Sequence, residues 1–258
     1  MARIFITGSA DGLGHLAANE LVGLGHRVVL HARNAERAQE ASASIPKAET
    51  VLVGDLSDME ETKKLAADVN SLGSFDAVIH NAGIYAPSKN QNKKDFSKAL
   101  FMVNTVAPFI LTALIQKPRR LIYMTSGLHL QGDPHLISIT YANGDYSSLT
   151  YSDTKLHDVI LCMAVARLWP DVYSNTVNPG WVPTKMGGSN APDNLEEGFQ
   201  TQVWLAASED TAAFVSGKYF HHKKETECLP QAHDPSTQGN LLMQCEKISG
   251  IKFPGMYI

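Results

Sequence analysis

Tyr151 and Lys155, in the run Tyr151-Ser152-Asp153-Thr154-Lys155, are a phenol and an ammonium four residues apart. On a helix that spacing puts both groups on one face, about one turn from each other. Tyrosine ordinarily ionises at about pH 10 and lysine at about 10.4, so neither is a useful proton-transfer group alone. A fixed positive charge beside the phenol favours tyrosinate and pulls its ionisation toward working pH. Such a pair could give a proton to a developing alkoxide or take one from an alcohol. The same spacing also occurs on ordinary solvated helix faces, so its meaning depends on the residues around it. Tyr141 has Asp145 four residues on and Tyr146 has Thr150; of these three tyrosines only Tyr151 has a cationic partner.

Elements able to position the pair alternate along the chain. Arg3–Thr7, Arg27–His31, Thr50–Val53, Phe75–His80, Arg119–Thr125, Tyr173–Val177 and Gly217–Phe220 read as strands, short and mostly rich in β-branched or aromatic residues. Between them, Leu13–Leu24, Ala35–Ser44, Asp58–Leu72, Asp95–Ile115 and Thr154–Trp169 read as helices. This alternation implies parallel strands joined by crossover helices. The expected fold is a single α/β doubly wound domain over residues 1–258, with helices on both faces of a mostly parallel seven-stranded sheet. Ile4-Phe5-Ile6 and Val28-Val29-Leu30 are continuously apolar, as burial on both faces requires. No repeat or linker marks a boundary, and the part beyond Pro183 is the least patterned.

Composition excludes several classes of function. The 258 residues are 44% hydrophobic and 19% charged, with net charge −4, the profile of a globular protein with a sizeable core. A pI of about 6.2 and basic runs no longer than Lys93-Lys94 or Arg119-Arg120 argue against a nucleic-acid footprint. No apolar stretch approaches the roughly 20 residues of a membrane span. Ala2–Thr7 runs directly into a strand rather than a secretory signal. Cys162, Cys228 and Cys245 lack CxxC spacing and fit reduced thiols in a cytoplasmic protein. His221-His222 are adjacent and no HExxH-like spacing occurs, so a metal-free site is expected.

Thr7-Gly8-Ser9-Ala10-Asp11-Gly12-Leu13-Gly14 joins the first strand to the first helix. Its glycines allow a tight turn, close approach of backbone to a pyrophosphate, and close helix–strand contact. The helix N-terminus adds N–H groups and a positive dipole end. An ordinary glycine-containing turn would look similar; its place after the first strand favours dinucleotide binding. At the end of the second strand an NAD site typically carries Asp or Glu for the ribose 2′-hydroxyl, whereas Ala32 and Arg33 stand here. Arg33 suits a 2′-phosphate, so NADP(H) is expected over NAD(H). Arg33 could instead cap a loop, and Asp11 would repel a phosphate if it pointed that way.

Together these residues resemble the short-chain dehydrogenase/reductase family over nearly the whole chain. The family's TGxxxGxG turn is similar to Thr7, Gly8, Gly12 and Gly14. Its acidic residue after strand three, which contacts adenine, resembles Asp55, followed by Leu56. Its NNAG element resembles His80-Asn81-Ala82-Gly83, with His in the first Asn position. Its catalytic Asn, Ser and YxxxK pair match Asn104, Ser126, Tyr151 and Lys155, and its PG element matches Pro179-Gly180. The resemblance implies a Rossmann-type fold and hydride transfer between a nicotinamide cofactor and a carbonyl or alcohol. Ser126 would hold the substrate carbonyl and Tyr151 would donate the proton. Lys155 would lower the Tyr151 pKa and hold the nicotinamide ribose, and Asn104 would support a water linking Lys155 to solvent. The cofactor would be met by Gly8, Ser9, Asp11, Gly12, Leu13, Gly14, Arg33, Asp55, Leu56, Asn81, Ala82, Gly83, Tyr151, Lys155, Pro179, Gly180, Val182 and Thr184.

Ser126 and Tyr151 are 25 residues apart, wider than the commonest family spacing. Residues 128–149 therefore read as an insertion over the site, with turn chemistry at Gly132-Asp133-Pro134 and Asn143-Gly144-Asp145. That spacing resembles the retinol-dehydrogenase-like and protochlorophyllide-reductase-like branch, as do Gly217–Phe220 and Leu241–Gly250. Residues 128–149 and 183–215 would form a substrate lid. His129, Tyr146, Trp181, Met186 and Phe199 could line an apolar pocket suited to a lipophilic carbonyl; each could equally be ordinary core. Only Gln116-Lys117-Pro118 separate the Asn104 helix from strand five, which leaves monomer and homodimer both open. The expected protein is a cytoplasmic NADP(H)-dependent oxidoreductase acting on a small molecule. A non-catalytic NADP-binding regulator would have no need of Ser126, Tyr151 and Lys155 together. A nucleotide-sugar epimerase would carry a different glycine spacing and a longer substrate domain.

Overall fold

The computed structural model describes residues 1–87 and 92–256. Its strands are β1 (Arg3–Ile6), β2 (Arg27–Ala32), β3 (Thr50–Val53), β4 (Ala77–His80), β5 (Arg120–Met124), β6 (Tyr173–Asn178), β7 (Lys218–His221) and β8 (Lys224–Thr226). They form one eight-stranded sheet in the order β3-β2-β1-β4-β5-β6-β7-β8. Every pairing is parallel except β7 with β8. The expected count of seven is thus corrected to eight. The extra edge strand arises because His222 and Lys223 take φ of 49° and 61° and reverse the chain in a two-residue turn. Neither residue carries the Asn-Gly signal that would announce such a turn.

Alternate side chains of each strand feed opposite cores. On one face α1 (Gly12–Gly23), α2 (Ala35–Ser44) and α8 (Leu195–Ala207) cover Ile4, Ile6, Val28 and Leu30. On the other, α3 (Met59–Ser71), α4 (Lys93–Phe101), α5 (Ala107–Leu114), α7 (Tyr151–Leu168) and α9 (Pro235–Ser249) cover Phe5, Val29, Val78 and Tyr123. This is a single α/β domain of the doubly wound kind. A short helix, α6 (Ile137–Thr140), lies within the insertion after β5. Leu136, Ile139, Tyr146 and Leu149 of that insertion are buried in the α7-side core.

The helix expected over Asp95–Ile115 runs over Lys93–Leu114 but widens into a π turn at Met102–Val106. Pro108 has no N–H for the regular bond to the Asn104 carbonyl, and the ladder slips so that Ala107 N donates to Met102 O. By length and composition this helix could cross a membrane, yet 72% of its apolar window is buried inside the fold. The start of α7 is Tyr151, three residues before the expected Thr154. Thr150 caps it: its hydroxyl accepts from Asp153 N at 3.1 Å while the Asp153 carboxylate accepts from Thr150 N at 2.8 Å.

His80 and His157 are buried as neutral rings whose pKa is driven far down. His80 stacks on Tyr123 at 4.8 Å and shares a 3.1 Å hydrogen bond with Thr112. Burial pushes its pKa down to about 3. Burial likewise takes His157, bonded to the Thr105 hydroxyl at 3.0 Å, down to about 4. Asp158 moves the other way, pushed up to about 6 by burial against the pull of Lys155. An unfolded chain protonates its histidines near 6.5, which the folded chain resists, so their contribution is full above that pH and is lost below it. Acidification from pH 7 to 4.5 should cost on the order of 5 kcal/mol through the two histidines, with about 2 kcal/mol returned by Asp158. Urea unfolding should therefore show a net loss, and His157→Gln should remove about half of the histidine share. Equal stability at the two pH values would refute neutral burial.

Candidate active site

The carboxyl ends of the central strands open into a cleft of about 680 Å³. Its floor depends on two turns meeting closely. Gly8 has φ of 63°, and a Cβ there would lie 2.8 Å from Ala82 Cα; a Cβ on Gly14 would lie 2.3 Å from Asn81 Nδ2. The Thr7 hydroxyl accepts from Asn81 N at 3.0 Å and Ala82 N at 3.1 Å, and Asn81 Nδ2 returns bonds to Thr7 O and Gly8 O. His31 holds the same turn from the other side. Its Nδ1 accepts from Gly8 N at 2.9 Å and its Nε2 donates to Gly54 O at 2.8 Å. Burial lowers the His31 pKa against the pull of that carbonyl, consistent with the neutral ring this pattern needs. The Ser9 side chain is fully buried, donating to Ile6 O and accepting from His31 N, each at 2.9 Å. Asp55 lines the cleft beside Leu56, its carboxylate bonded to Ser57 N at 2.9 Å.

Charge gathers at the mouth. Asp11 caps α1 by accepting from Gly12 N at 2.8 Å, and it also meets Lys185 at 2.5 Å and Arg37 at 3.1 Å. Partial burial works against its ionisation, yet Lys185, the Gly12 amide and Arg37 together hold the carboxyl below its ordinary value. Its charge is thus compensated within the protein. Arg33 and Arg37 both line the cleft. Arg37, in the first turn of α2, is one residue that sequence reasoning missed; a second guanidinium close in sequence to Arg33 was the available signal.

Farther along the rim, α7 carries Tyr151 and Lys155 on one face. Lys155 Nζ lies 5.7 Å from the centre of the Tyr151 ring. Ser126 stands beside Tyr151 with its hydroxyl accepting from Leu128 N at 3.2 Å, and the ring of Tyr85 meets Tyr151 edge-on at 4.8 Å and 86°. Lys155 is buried and donates to Met124 O at 2.9 Å and to Asp158 at 2.8 Å. Burial raises the Tyr151 pKa; the Lys155 charge opposes this, while Asp158 and Tyr85 add to it. The net upward direction corrects the lowered value expected from the Lys155 charge alone. Asp158 was missed, although a carboxylate three residues after a lysine is itself a helical pairing signal.

Asn104 is fully buried and its amide is committed. Its Oδ1 accepts from Ile84 N at 2.9 Å, and Nδ2 donates to Ile84 O at 3.0 Å and to the Thr154 hydroxyl at 3.1 Å. It thereby fixes the chain just after Gly83 against α7. Pro179, Thr184 and Met186 line the cleft, and Val182 is buried. Gly180 has φ of 83°, and a Cβ there would lie 2.5 Å from the Asp193 carboxylate. Trp181 is 59% exposed, its indole N–H donating to Gly187 O at 2.8 Å within its own loop.

Three residues expected at a substrate pocket lie elsewhere. His129 is fully buried, bonded to Ser126 O at 2.8 Å and accepting from Leu229 N at 3.2 Å, so it ties the C-terminal tail to the turn after β5. Tyr146 stacks on Phe101 at 4.5 Å inside the core. Phe199 packs with Val203 and Leu205 in the opposite core. Phe96, Ala99 and Val103 reach the cleft from α4 and the π turn. They were missed because a helix that is apolar on most sides does not say which apolar residue faces a cavity.

The model of short chain dehydrogenases matches residues 2–195. The chain belongs to the short-chain dehydrogenase family. It is therefore an oxidoreductase of that family. It is 46% identical to an uncharacterised oxidoreductase of Emericella nidulans, over 99% of this chain and 100% of that one. It is 43% identical to a short-chain dehydrogenase of Gibberella zeae, over 98% of this chain and 99% of that one. Retinol dehydrogenase 14 of Mus musculus is 28% identical, over 96% of this chain and 86% of that one. Among solved structures, an uncharacterised protein from Mycobacterium paratuberculosis superposes with a TM-score of 0.78 at 21% identity, covering 98% of this chain and 95% of that one. A blue fluorescent protein from a metagenomic library, solved with NADPH, shares the fold at a TM-score of 0.68 and 19% identity, covering 85% of this chain and 95% of that one. The family's glycine turn has a physical test in this chain. Gly14→Ala must displace Asn81 and should cost about 1–3 kcal/mol of stability in urea unfolding. Gly23→Ala, which meets nothing within 4 Å, should change stability little. Equal effects of the two substitutions would contradict the close contact of the turns.

Proposed function

We propose that this protein is an NADP(H)-dependent oxidoreductase that interconverts a carbonyl and an alcohol on a lipophilic small molecule. The observation that carries the reading is the Tyr151 phenol with the buried Lys155 ammonium 5.7 Å from its ring centre, in a cleft that begins at a glycine turn. The residues present fit a dinucleotide. The contacts at Gly8 and Gly14 leave a turn without side-chain bulk, and the N-terminus of α1 faces the same cleft, which suits a pyrophosphate. Asp55 and Leu56 would take the adenine, and Asn81, Ala82 and Gly83 the ribose side. Lys155 would meet the second ribose, and Pro179 with Thr184 the carboxamide end. Arg33 and Arg37, both lining the cleft, support NADP because a guanidinium suits a 2′-phosphate.

When bound, the nicotinamide supplies or accepts the hydride. Ser126 holds the carbonyl oxygen in place, and Tyr151 gives its proton to that oxygen as negative charge develops there. Lys155 keeps positive charge near the phenol after the proton has left. In the reverse direction Tyr151 must first ionise, so a raised pKa favours reduction at neutral pH. Residues 128–149 and 183–215 act as the substrate lid; exposed Leu130, Ile137, Tyr141 and Met186 within them, with Trp181 just before the second segment, suit a lipophilic substrate. Three unpaired, buried cysteines fit a reducing cytoplasm.

A panel of aldehydes, ketones and quinones with NADPH should give turnover by absorbance loss, and Tyr151→Phe should lower kcat by at least about 100-fold. No turnover of any carbonyl, or a Phe variant equal to the native enzyme, refutes the proposal. Replacing Arg33 and Arg37 together by Ala should lower kcat/KM for NADPH about 10- to 100-fold and leave NADH nearly unchanged. An unaltered NADPH/NADH ratio would instead show that neither guanidinium reads a phosphate.

A further inference from the structure

Asp158 is a carboxylate in the interior, where an ionised group persists only if it is paired and hydrogen-bonded. Its side chain is 4% exposed and that of Lys155 is 5% exposed, with Nζ 2.8 Å from Oδ2. An ammonium has three N–H donors. Met124 O takes one and Asp158 another, which leaves one to turn toward the cleft. Tyr151 therefore faces an ion pair rather than a bare cation. This differs from what the four-residue spacing of Tyr151 and Lys155 suggests, since a single lysine would act on the phenol with its full charge.

The other titratable groups near Asp158 are neutral at physiological pH. Tyr123 of β5 and Cys162 of α7 are pushed far up by burial, and Cys245 of α9 is pushed up to about 12. His157 is held neutral by burial, and Tyr85 stands edge-on to Tyr151 across the site. Asp158 and Lys155 are thus the opposed charges that the phenol senses from its own helix. We propose that Asp158 is a positioning residue of the proton-transfer pair: its carboxylate fixes the Lys155 ammonium and offsets its charge at Tyr151. The inference rests on Tyr151 being the proton-transfer group. Burial raises the ionisation of the phenol and Asp158 adds to that rise by offsetting Lys155, so Tyr151 keeps its proton across neutral pH and is set to donate it to a carbonyl oxygen.

Tyrosine labelled with ¹³C at Cζ reports phenol ionisation in the cofactor-free protein, and loss of one resonance in Tyr151→Phe identifies the signal. In the native chain the Tyr151 signal should stay in the protonated form past the ordinary tyrosine value of about 10. In Asp158→Asn the midpoint should fall by about one pH unit or more, because the Lys155 charge is no longer offset. Asp158→Glu, which restores the charge, should return the midpoint toward the native one. A midpoint in Asp158→Asn that is unchanged or higher overturns the proposal. Should that variant fail to fold, the native titration decides alone: ionisation of Tyr151 below the ordinary value overturns it. The titration needs neither substrate nor cofactor, so a carbonyl panel without turnover would refute the enzymatic reading and leave this measurement standing.

Discussion

Burying the ammonium of Lys155 is the constraint around which the site is organised. A charge in the interior must be met by acceptors, and here one comes from the strand and one from the helix: Met124 O at the end of β5 and Asp158 one turn along α7. The Thr125 hydroxyl donates to Lys155 O at 2.7 Å, so the same residue is held at its main chain as well. These bonds lock α7 to the end of β5. Tyr151 at the start of that helix and Ser126 just past that strand are then brought together by elements that cannot slide apart.

The other half of the cleft rests on contact between backbones. Gly8 and Gly14 let the turn after β1 touch the turn after β4, and Thr7, Asn81 and His31 convert that contact into hydrogen bonds. Each polar side chain in this layer is spent on structure. That leaves main-chain groups and the N-terminus of α1 to face the cavity, the arrangement that suits an anionic dinucleotide. At the mouth, Asp11 is neutralised by Lys185 and Arg37, which joins the glycine turn, α2 and the loop after Gly180 through one carboxylate.

Much of the fold was legible because a parallel sheet buried on both faces demands continuous apolar strands, as Val28-Val29-Leu30 is, with amphipathic helices between them. The strand β8 was not legible, since its turn depends on His222 and Lys223 adopting positive φ without a glycine. Nor was the π turn at Asn104, although Pro108 four residues on is its physical cause. In the site, residues paired by spacing along one helix or one turn do lie together: Tyr151 with Lys155, and Gly8 with Gly12 and Gly14. Substrate candidates chosen for their apolar or aromatic character fared differently. His129, Tyr146 and Phe199 went into the interior, because burial of an aromatic ring is equally well served by a core or a pocket.

The sequence by itself determined the order of elements, the glycine turn and the pairing of a phenol with an ammonium, because each is a matter of local spacing along a strand, a turn or a helix. Tertiary structure alone decided what those groups feel. Only when α7 packs onto β5 does Lys155 leave water, find Met124 O and Asp158, and present Tyr151 with a compensated charge. Local spacing says which groups can meet, whereas burial sets the dielectric surroundings and the number of acceptors that fix their protonation.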